Sequence, residues 1–252
     1  RAVEDASPEA GADTGAAFIG EPVQGAESIK IPPASYWPEI QRICKKYDIL
    51  LMLDEVITGY GRTGEWFGCQ SIGIEPDMIT TAKALTSGYL PLSALLVSDR
   101  VANAVVEKGG EFNHGYTYSG HPVCCAVALE NLAIIEREGL VDRVKNDTGP
   151  YFREKLTEKI AGHGIVGQVR TFGLLGAIEI VKDKQSKERF SEAEGAAYLV
   201  RDHAIRNGMM MRAVGDTMIL SPPLIWTRET VDLAVGRILK ALDAAEGVLR
   251  AA

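Results

Sequence analysis

The feature that most constrains this chain is a series of short, almost wholly apolar runs, each closed by polar, Gly or Pro residues. They are Ala16 to Val23 (AAFIGEPV), Ile49 to Val56 (ILLMLDEV), Met78 to Ala82 and Leu92 to Ser98. A strand that is apolar at successive positions buries both faces, so such runs predict a sheet covered by helices on both sides. Between the first two runs, Ala34 to Tyr47 carries Tyr36, Trp37, Ile40 and Ile43 on one helical stripe. Strand, helix and strand in that order predict an α/β fold with a mostly parallel sheet.

After Gly120 the pattern changes. A helix is predicted over Pro122 to Glu138, ended by Gly139, and a second near Pro150 to Ala161. Extended segments follow at Ile165 to Thr171 and Gly173 to Val181, then a helix from about Ser191 to Asn207 ended by Gly208. Two more extended segments, Met209 to Ala213 and Thr217 to Ser221, precede a last helix from about Arg228 to Leu249. The mixture predicts a smaller α+β domain, so the chain divides into domains 1–140 and 141–252. Arg1 to Gly15 reads as the tail of a helix plus a turn, and the start at Arg1 rather than Met suggests that the chain begins partway through a protein.

A chain of 252 residues, 46% hydrophobic and 24% charged, can bury a substantial core. Its 27 basic and 34 acidic residues give a net charge of −7 with no basic block, which argues against a nucleic-acid partner. No run reaches the roughly 18 apolar residues a membrane span needs, and no signal-like start is present, so a cytoplasmic protein is expected. Cys124 and Cys125 are adjacent, which suits reduced thiols better than a bridge. The histidines at 114, 121, 163 and 203 show no metal-ligand spacing, and no metal is expected.

The segment Ile49 to Gly64, ILLMLDEVITGYGRTG, contains two familiar look-alikes. Asp54 and Glu55 after four apolar residues resemble the acidic strand end of a nucleotide hydrolase, but no phosphate loop of the form G-x-x-x-x-G-K-[ST] accompanies them. Gly59, Gly61 and Gly64 satisfy G-x-G-x-x-G, yet two carboxylates close the preceding strand and Glu65 to Gly68 make a poor first helical turn for a dinucleotide. A third reading covers more. An ionised Asp54 at a strand end stabilises a cation by about 4 kcal/mol at about 4 Å and an effective dielectric near 20, before desolvation. A protonated pyridine nitrogen is such a cation, and a ring held protonated becomes an electron sink. That chemistry also needs a lysine, and Lys83 in TTAKALTSGYLP lies just past an apolar run among small residues. A solvated strand-end lysine is commoner in general, but these neighbours leave room for a ligand.

The sequence resembles the class III aminotransferases, pyridoxal 5′-phosphate enzymes of fold type I. The motifs are EPVQG (Glu21 to Gly25), LDEVITGYGRTG (Leu53 to Gly64), AKALTSGYLPLSA (Ala82 to Ala94), HGYTYSGHP (His114 to Pro122) and MRAVGDTMILSPPL (Met211 to Leu224), in family order. The resemblance implies a cofactor-binding large domain, of which 1–140 is the later part, and a small domain over 141–252. It also implies roles. Lys83 is the residue that bonds to the cofactor aldehyde and then moves protons, Asp54 the partner of the pyridinium nitrogen, and Val56 the side chain against a ring face. Thr117 reaches the cofactor phosphate from the neighbouring subunit, so a homodimer or higher oligomer with a shared active site is implied. Glu21 lies near the cofactor, and His114 and His121 shape the phosphate-side loop. Arg212, in its M-R-A context, swings in to grip a substrate carboxylate through its planar fork and out to admit an uncharged group.

Departures from the family narrow the substrate. Ornithine and 4-aminobutyrate aminotransferases carry a carboxylate-binding arginine where this chain has Ile219, and an acidic residue where it has Ala26. What remains resembles enzymes that move an amino group from an ω-amino acid, diamine or amine to pyruvate or a similar oxo acid. A 2,1-aminomutase or decarboxylase on the same fold, or a catalytically silent cofactor-binding module, are the alternatives. Relatives also carry a long preceding region with the glycine-serine phosphate cradle and a ring-stacking aromatic; the expectation is that this chain is a fragment or is completed by another chain.

Overall fold

The computed structural model describes residues 15–251, which form two compact units. The reading of Arg1 to Gly15 therefore lies almost wholly outside the described residues. The first unit takes in residues 15–23, Pro32–Gly61 and Glu65–Gly139. It runs through β1 (Ala17–Gly20), α1 (Tyr36–Lys46), β2 (Leu50–Asp54), α2 (Gly68–Ile72), β3 (Met78–Thr81), a 3₁₀ turn (Lys83–Leu85), β4 (Ala94–Val97), α3 (Asp99–Lys108) and α4 (Pro122–Arg137).

The strands lie in the order β1-β2-β3-β4, the first two pairings parallel and the last antiparallel. A parallel return needs a crossover of a dozen or more residues, usually helical, whereas the connection 82–93 holds a single 3₁₀ turn, so β4 comes back antiparallel. Helix α1 buries Trp37, Ile40, Ile43 and Cys44, and Trp37, Ile40 and Cys44 join Leu51, Leu53, Phe18 and Ile79 in one apolar cluster. The Trp37 indole N–H donates to the Pro22 carbonyl at 3.0 Å. Among the described residues, helical cover lies on one face of this sheet. Strand alternation puts Ile19 and Leu95 on the other face, where they are 58% and 57% exposed. Helix α3 lies outside the expected elements; it carries Val101, Ala102 and Val105 along one side at helical spacing, and none of its residues is buried among the described ones.

The second unit takes in Gln24–Ile31, Arg62–Gly64 and 140–251. A short helix α5 (Leu140–Arg143) passes through a π-helical stretch (Val144–Thr148) into α6 (Gly149–Lys159), followed by β5 (Val166–Phe172), β6 (Leu175–Ile180), α7 (Ala196–Arg206), β7 (Arg212–Val214), β8 (Thr217–Leu220) and α8 (Arg228–Leu249). The sheet, ordered β5-β6-β8-β7, is antiparallel throughout. Its core joins Phe152 and Leu156 of α6, Ile178 and Ile180 of β6, Val200 of α7 and Ile238 and Leu242 of α8. Helix α8 buries Val231, Ala234, Val235, Ile238, Ala241, Leu242 and Ala245, the spacing of one wide helical stripe.

Two boundaries differ from expectation for local reasons. Helix α7 starts at Ala196 rather than near Ser191, because the Ser191 amide and hydroxyl both donate to the Glu194 carboxylate (2.6 and 2.7 Å) and Gly195 is left-handed, which closes a separate turn first. Strand β7 starts at Arg212 rather than Met209, because the Met209 amide still bonds to the Ala204 carbonyl at the end of α7.

Candidate active site

Strands β2 and β3 run parallel with Asp54 opposite Thr80, so their C-terminal ends reach the same sheet edge. Asp54 ends β2, and Lys83 follows the end of β3 after Ala82. The half-buried Asp54 carboxylate accepts a hydrogen bond from the Val56 amide at 3.0 Å, a short Asx turn that fixes its orientation. Val56 is half-buried in the same turn. Glu21 comes immediately after β1, whose last residue pairs with Leu53, and so belongs to the same edge.

Lys83 opens the 3₁₀ turn with φ at +42°, in the left-handed region that residues with a side chain seldom adopt. Such conformations persist where surrounding contacts over-determine them. Its side chain is exposed on the wall of an open concavity of about 650 Å³ that is also lined by Ala82, Thr86, Gly88, Tyr89 and Ser93. Thr86, itself buried, donates to the Leu90 carbonyl at 2.6 Å and closes the far side of the loop.

Behind this edge lies a polar arrangement that sequence reasoning missed. The fully buried Glu55 carboxylate accepts from the Thr58 hydroxyl (2.7 Å) and from the Gly68 and Cys69 amides (2.5 and 2.7 Å) at the start of α2. A Cβ on Gly68 would stand 2.9 Å from the Glu55 carboxylate, so the close approach requires glycine. Burial and the Glu55 carboxylate push the Cys69 thiol up to about 12, which keeps it protonated and unreactive. Tyr60 is buried at φ +58° and donates to the Thr81 hydroxyl at 2.9 Å, which in turn reaches the Ala94 carbonyl at 3.2 Å. The turn after Asp54 is thereby tied to the strand end before Lys83. The one hint in the sequence was the carboxylate pair Asp54-Glu55, whose second member turns inward to brace the loop.

The remaining expected residues are placed separately. Thr117 begins an exposed turn, 117–120, held by the Tyr116 amide on the Ser119 hydroxyl (3.0 Å) and the Ser119 amide on the Tyr116 carbonyl (2.9 Å). Among the described residues it makes no hydrogen bond to Asp54 or Lys83. His114 packs edge-on against Phe112 and Tyr116, and His121 precedes α4 as its N-cap residue. Arg212 belongs to the second unit, exposed at the start of β7 and directly opposite Ile219 of β8. The two positions at which the family resemblance places a carboxylate-binding arginine are therefore one cross-strand pair, with side chains on the same face. Arg62, in the same unit, is half-buried and donates to the Leu174 and Pro222 carbonyls; the desolvation of its guanidinium lowers it to about 10. It braces the backbone.

A carboxylate and a primary amine on one sheet edge, the amine among small residues on a concavity wall, form a donor set that fits an aldehyde-bearing, protonated heteroaromatic group. Among the described residues no group of three His, Cys, Asp or Glu side chains is placed to hold a metal, and no helix is long and apolar enough to cross a membrane.

A family description, aminotransferase class-III, matches residues 1–242. The chain is 49% identical over 235 residues to the putrescine–pyruvate aminotransferase of Pseudomonas aeruginosa, covering 93% of this chain and 51% of that protein. It is 42% identical to gamma aminobutyrate transaminase 1 of Solanum lycopersicum, covering 97% of this chain and 48% of the other. Among solved structures, an (S)-enantioselective omega-transaminase from Thermomicrobium roseum superposes with a TM-score of 0.92 at 42% identity, over 96% of this chain and 54% of that one. The chain thus spans about half the length of the relatives it matches.

Proposed function

Because the chain belongs to the class III aminotransferases, enzymes of fold type I, we propose that the protein moves an amino group from an ω-amino acid, diamine or amine to pyruvate or a similar oxo acid. The observation that carries this is the register of β2 and β3, which brings Asp54 and the strained Lys83 turn to one edge. When bound, pyridoxal 5′-phosphate supplies an electron sink and an aldehyde that carries the amino group. Asp54, oriented by the Val56 amide, would keep a ring nitrogen protonated, and Val56 would cover one ring face. Lys83 would condense with the aldehyde carbon with loss of water, and, once a substrate amine had displaced it there, its freed amine would take and return the proton at the substrate's amine-bearing carbon.

Residues 1–140 are on this reading the later part of the cofactor-binding domain, and 141–252 the small domain. Thr117 would hold the phosphate from a neighbouring subunit, which makes the enzyme a homodimer or higher oligomer, and Glu21 would support the cofactor from β1. Arg212 would grip the carboxylate of pyruvate or of an ω-amino acid. The relative named for putrescine and pyruvate supports a diamine donor. Relatives named for 4-aminobutyrate also match, but Ile219 and Ala26 here argue against that donor. The proposed setting is the cytoplasm.

The test is Lys83→Ala in the holoenzyme, with alanine formation from pyruvate and a panel of amines followed by chromatography. Turnover should fall at least about a thousandfold, since proton transfer by a positioned group contributes up to about 10⁴-fold and the covalent link is lost as well. Normal turnover would sink the assignment.

A further inference from the structure

Lys83 holds an uncommon left-handed backbone, and the structure shows what stands against its turn. Asn131, half-buried in the middle of α4, uses every polar atom of its side-chain amide on this loop. Its Nδ2 donates to the Ala84 carbonyl at 2.8 Å and to the Leu85 carbonyl at 3.1 Å, and its Oδ1 accepts from the Ser87 hydroxyl at 2.7 Å. The two carbonyls demand a donor, so the orientation of the amide follows from the network. Within the loop, the Leu85 amide bonds to the Ala82 carbonyl (3.0 Å) and the Thr86 amide to the Lys83 carbonyl (3.2 Å), while Ser87 is a second left-handed residue, at φ +50°. A turn with a strained residue near each end is thus clamped in between by one side chain on a 16-residue helix.

We infer that Asn131 is a positioning residue for Lys83, holding the turn 83–87 in the strained form that presents the lysine amine to the concavity. The inference rests on the reading of Lys83 as the covalent and proton-transferring amine. It assigns Asn131 an effect on the rate of the chemical step rather than on substrate capture, because the amide is committed to the loop backbone and to Ser87. A relaxed turn would let the amine sample many orientations, and a misplacement of about 1 Å can cost on the order of 100-fold in rate.

The test compares Asn131→Asp, Asn131→Ala and Ser87→Ala in the holoenzyme and in the cofactor-free protein. Aspartate keeps the size of asparagine and the acceptor for Ser87 but cannot donate to the carbonyls. With it, kcat should fall at least about tenfold, the loss expected from two hydrogen bonds, while KM for pyruvate stays within about twofold. In the cofactor-free protein, hydrogen exchange at the amides of Leu85, Thr86 and Ser87 should quicken about tenfold, with the amides of α4 unchanged. Asn131→Ala should behave the same way if the aspartate variant fails to fold, and Ser87→Ala should lower kcat less than about threefold. Wild-type kcat and exchange in both Asn131 variants would overturn the inference, as would equal changes in kcat and KM. Lys83→Ala measured alongside separates the two ideas: an active Lys83→Ala enzyme removes the functional reading, whereas an inactive one beside a wild-type-like Asn131→Asp removes only the role of Asn131.

Discussion

The two units of this chain treat their sheets in opposite ways. In the second unit, helices α6, α7 and α8 contribute to one core in which Leu156, Ile178, Ile180 and Met218 are fully buried. In the first, α1 covers the Leu51 and Leu53 face, while the face bearing Ile19 and Leu95 stays open and every residue of β4 is exposed. Asp54, by strand alternation, shares that open face. The chain spans about half the length of its relatives, so the contrast is one of the described residues: the second sheet finds its core within them, and the first leaves bare the face that carries the groups proposed to hold a cofactor and move protons.

Four experiments can break or sharpen this contrast. The largest effect should come from Asp54→Ala in the open unit, lowering turnover of the holoenzyme about 100- to 10,000-fold with little change in unfolding, since loss of a positioned charge removes transition-state stabilisation. Steady-state kinetics and a denaturant titration check both halves, and an unchanged rate would show that another group holds the ring nitrogen.

Packing comes next. Leu156→Ala should destabilise the closed unit by about 2–5 kcal/mol, whereas Leu95→Ala, exposed among the described residues, should stay within about 0.5 kcal/mol when measured on this 252-residue chain. Urea unfolding followed through Trp226, which packs against the second core, reads the first value; equal costs at both positions would erase the contrast.

A smaller effect concerns the cross-strand pair. Arg212→Ala should raise KM for pyruvate about 10- to 150-fold, the loss of a bidentate charge-assisted contact, and spare a donor amine that has no carboxylate. Adding Ile219→Arg to that variant should recover part of the loss, because the new guanidinium issues from the directly opposed residue. No recovery would confine carboxylate binding to position 212.

The smallest effect is one of pH. The Cys69 thiol is raised to about 12 in the folded protein against 9.0 for an ordinary thiol, so its contribution to stability is complete below about pH 9 and falls as pH rises toward 12. The slope should approach 1.4 kcal/mol per pH unit for one proton. Unfolding midpoints measured from pH 8 to 10 should fall less steeply in Cys69→Ala, and parallel curves would show that other groups set the alkaline limit.

Much of this was legible in the sequence because the signals were local. The apolar stripe of Arg228 to Leu249 gave the last helix to the residue, and the apolar runs gave β1 to β4 within three residues at each end. Where a short polar contact competed with periodicity, boundaries slipped: the Ser191–Glu194 turn delayed α7, and the end of α7 kept Met209 out of β7. Lys83 and Asp54 stood out as candidates because a charged residue after an apolar run is conspicuous. Asn131 did not, since nothing in ALENLAII marks one amide as facing a loop more than 40 residues earlier.

The sequence by itself determined the alternation of apolar and helical segments, the family motifs and thus the chemistry on offer, because each depends on residue type and short spacing. The tertiary structure decided which carboxylate of Asp54-Glu55 faces outward, that β4 returns antiparallel, that Arg212 and Ile219 oppose each other, and that Lys83 sits on a strained turn gripped from α4. Those depend on pairing between distant segments, and on where buried donors and acceptors find their partners, which no local pattern encodes.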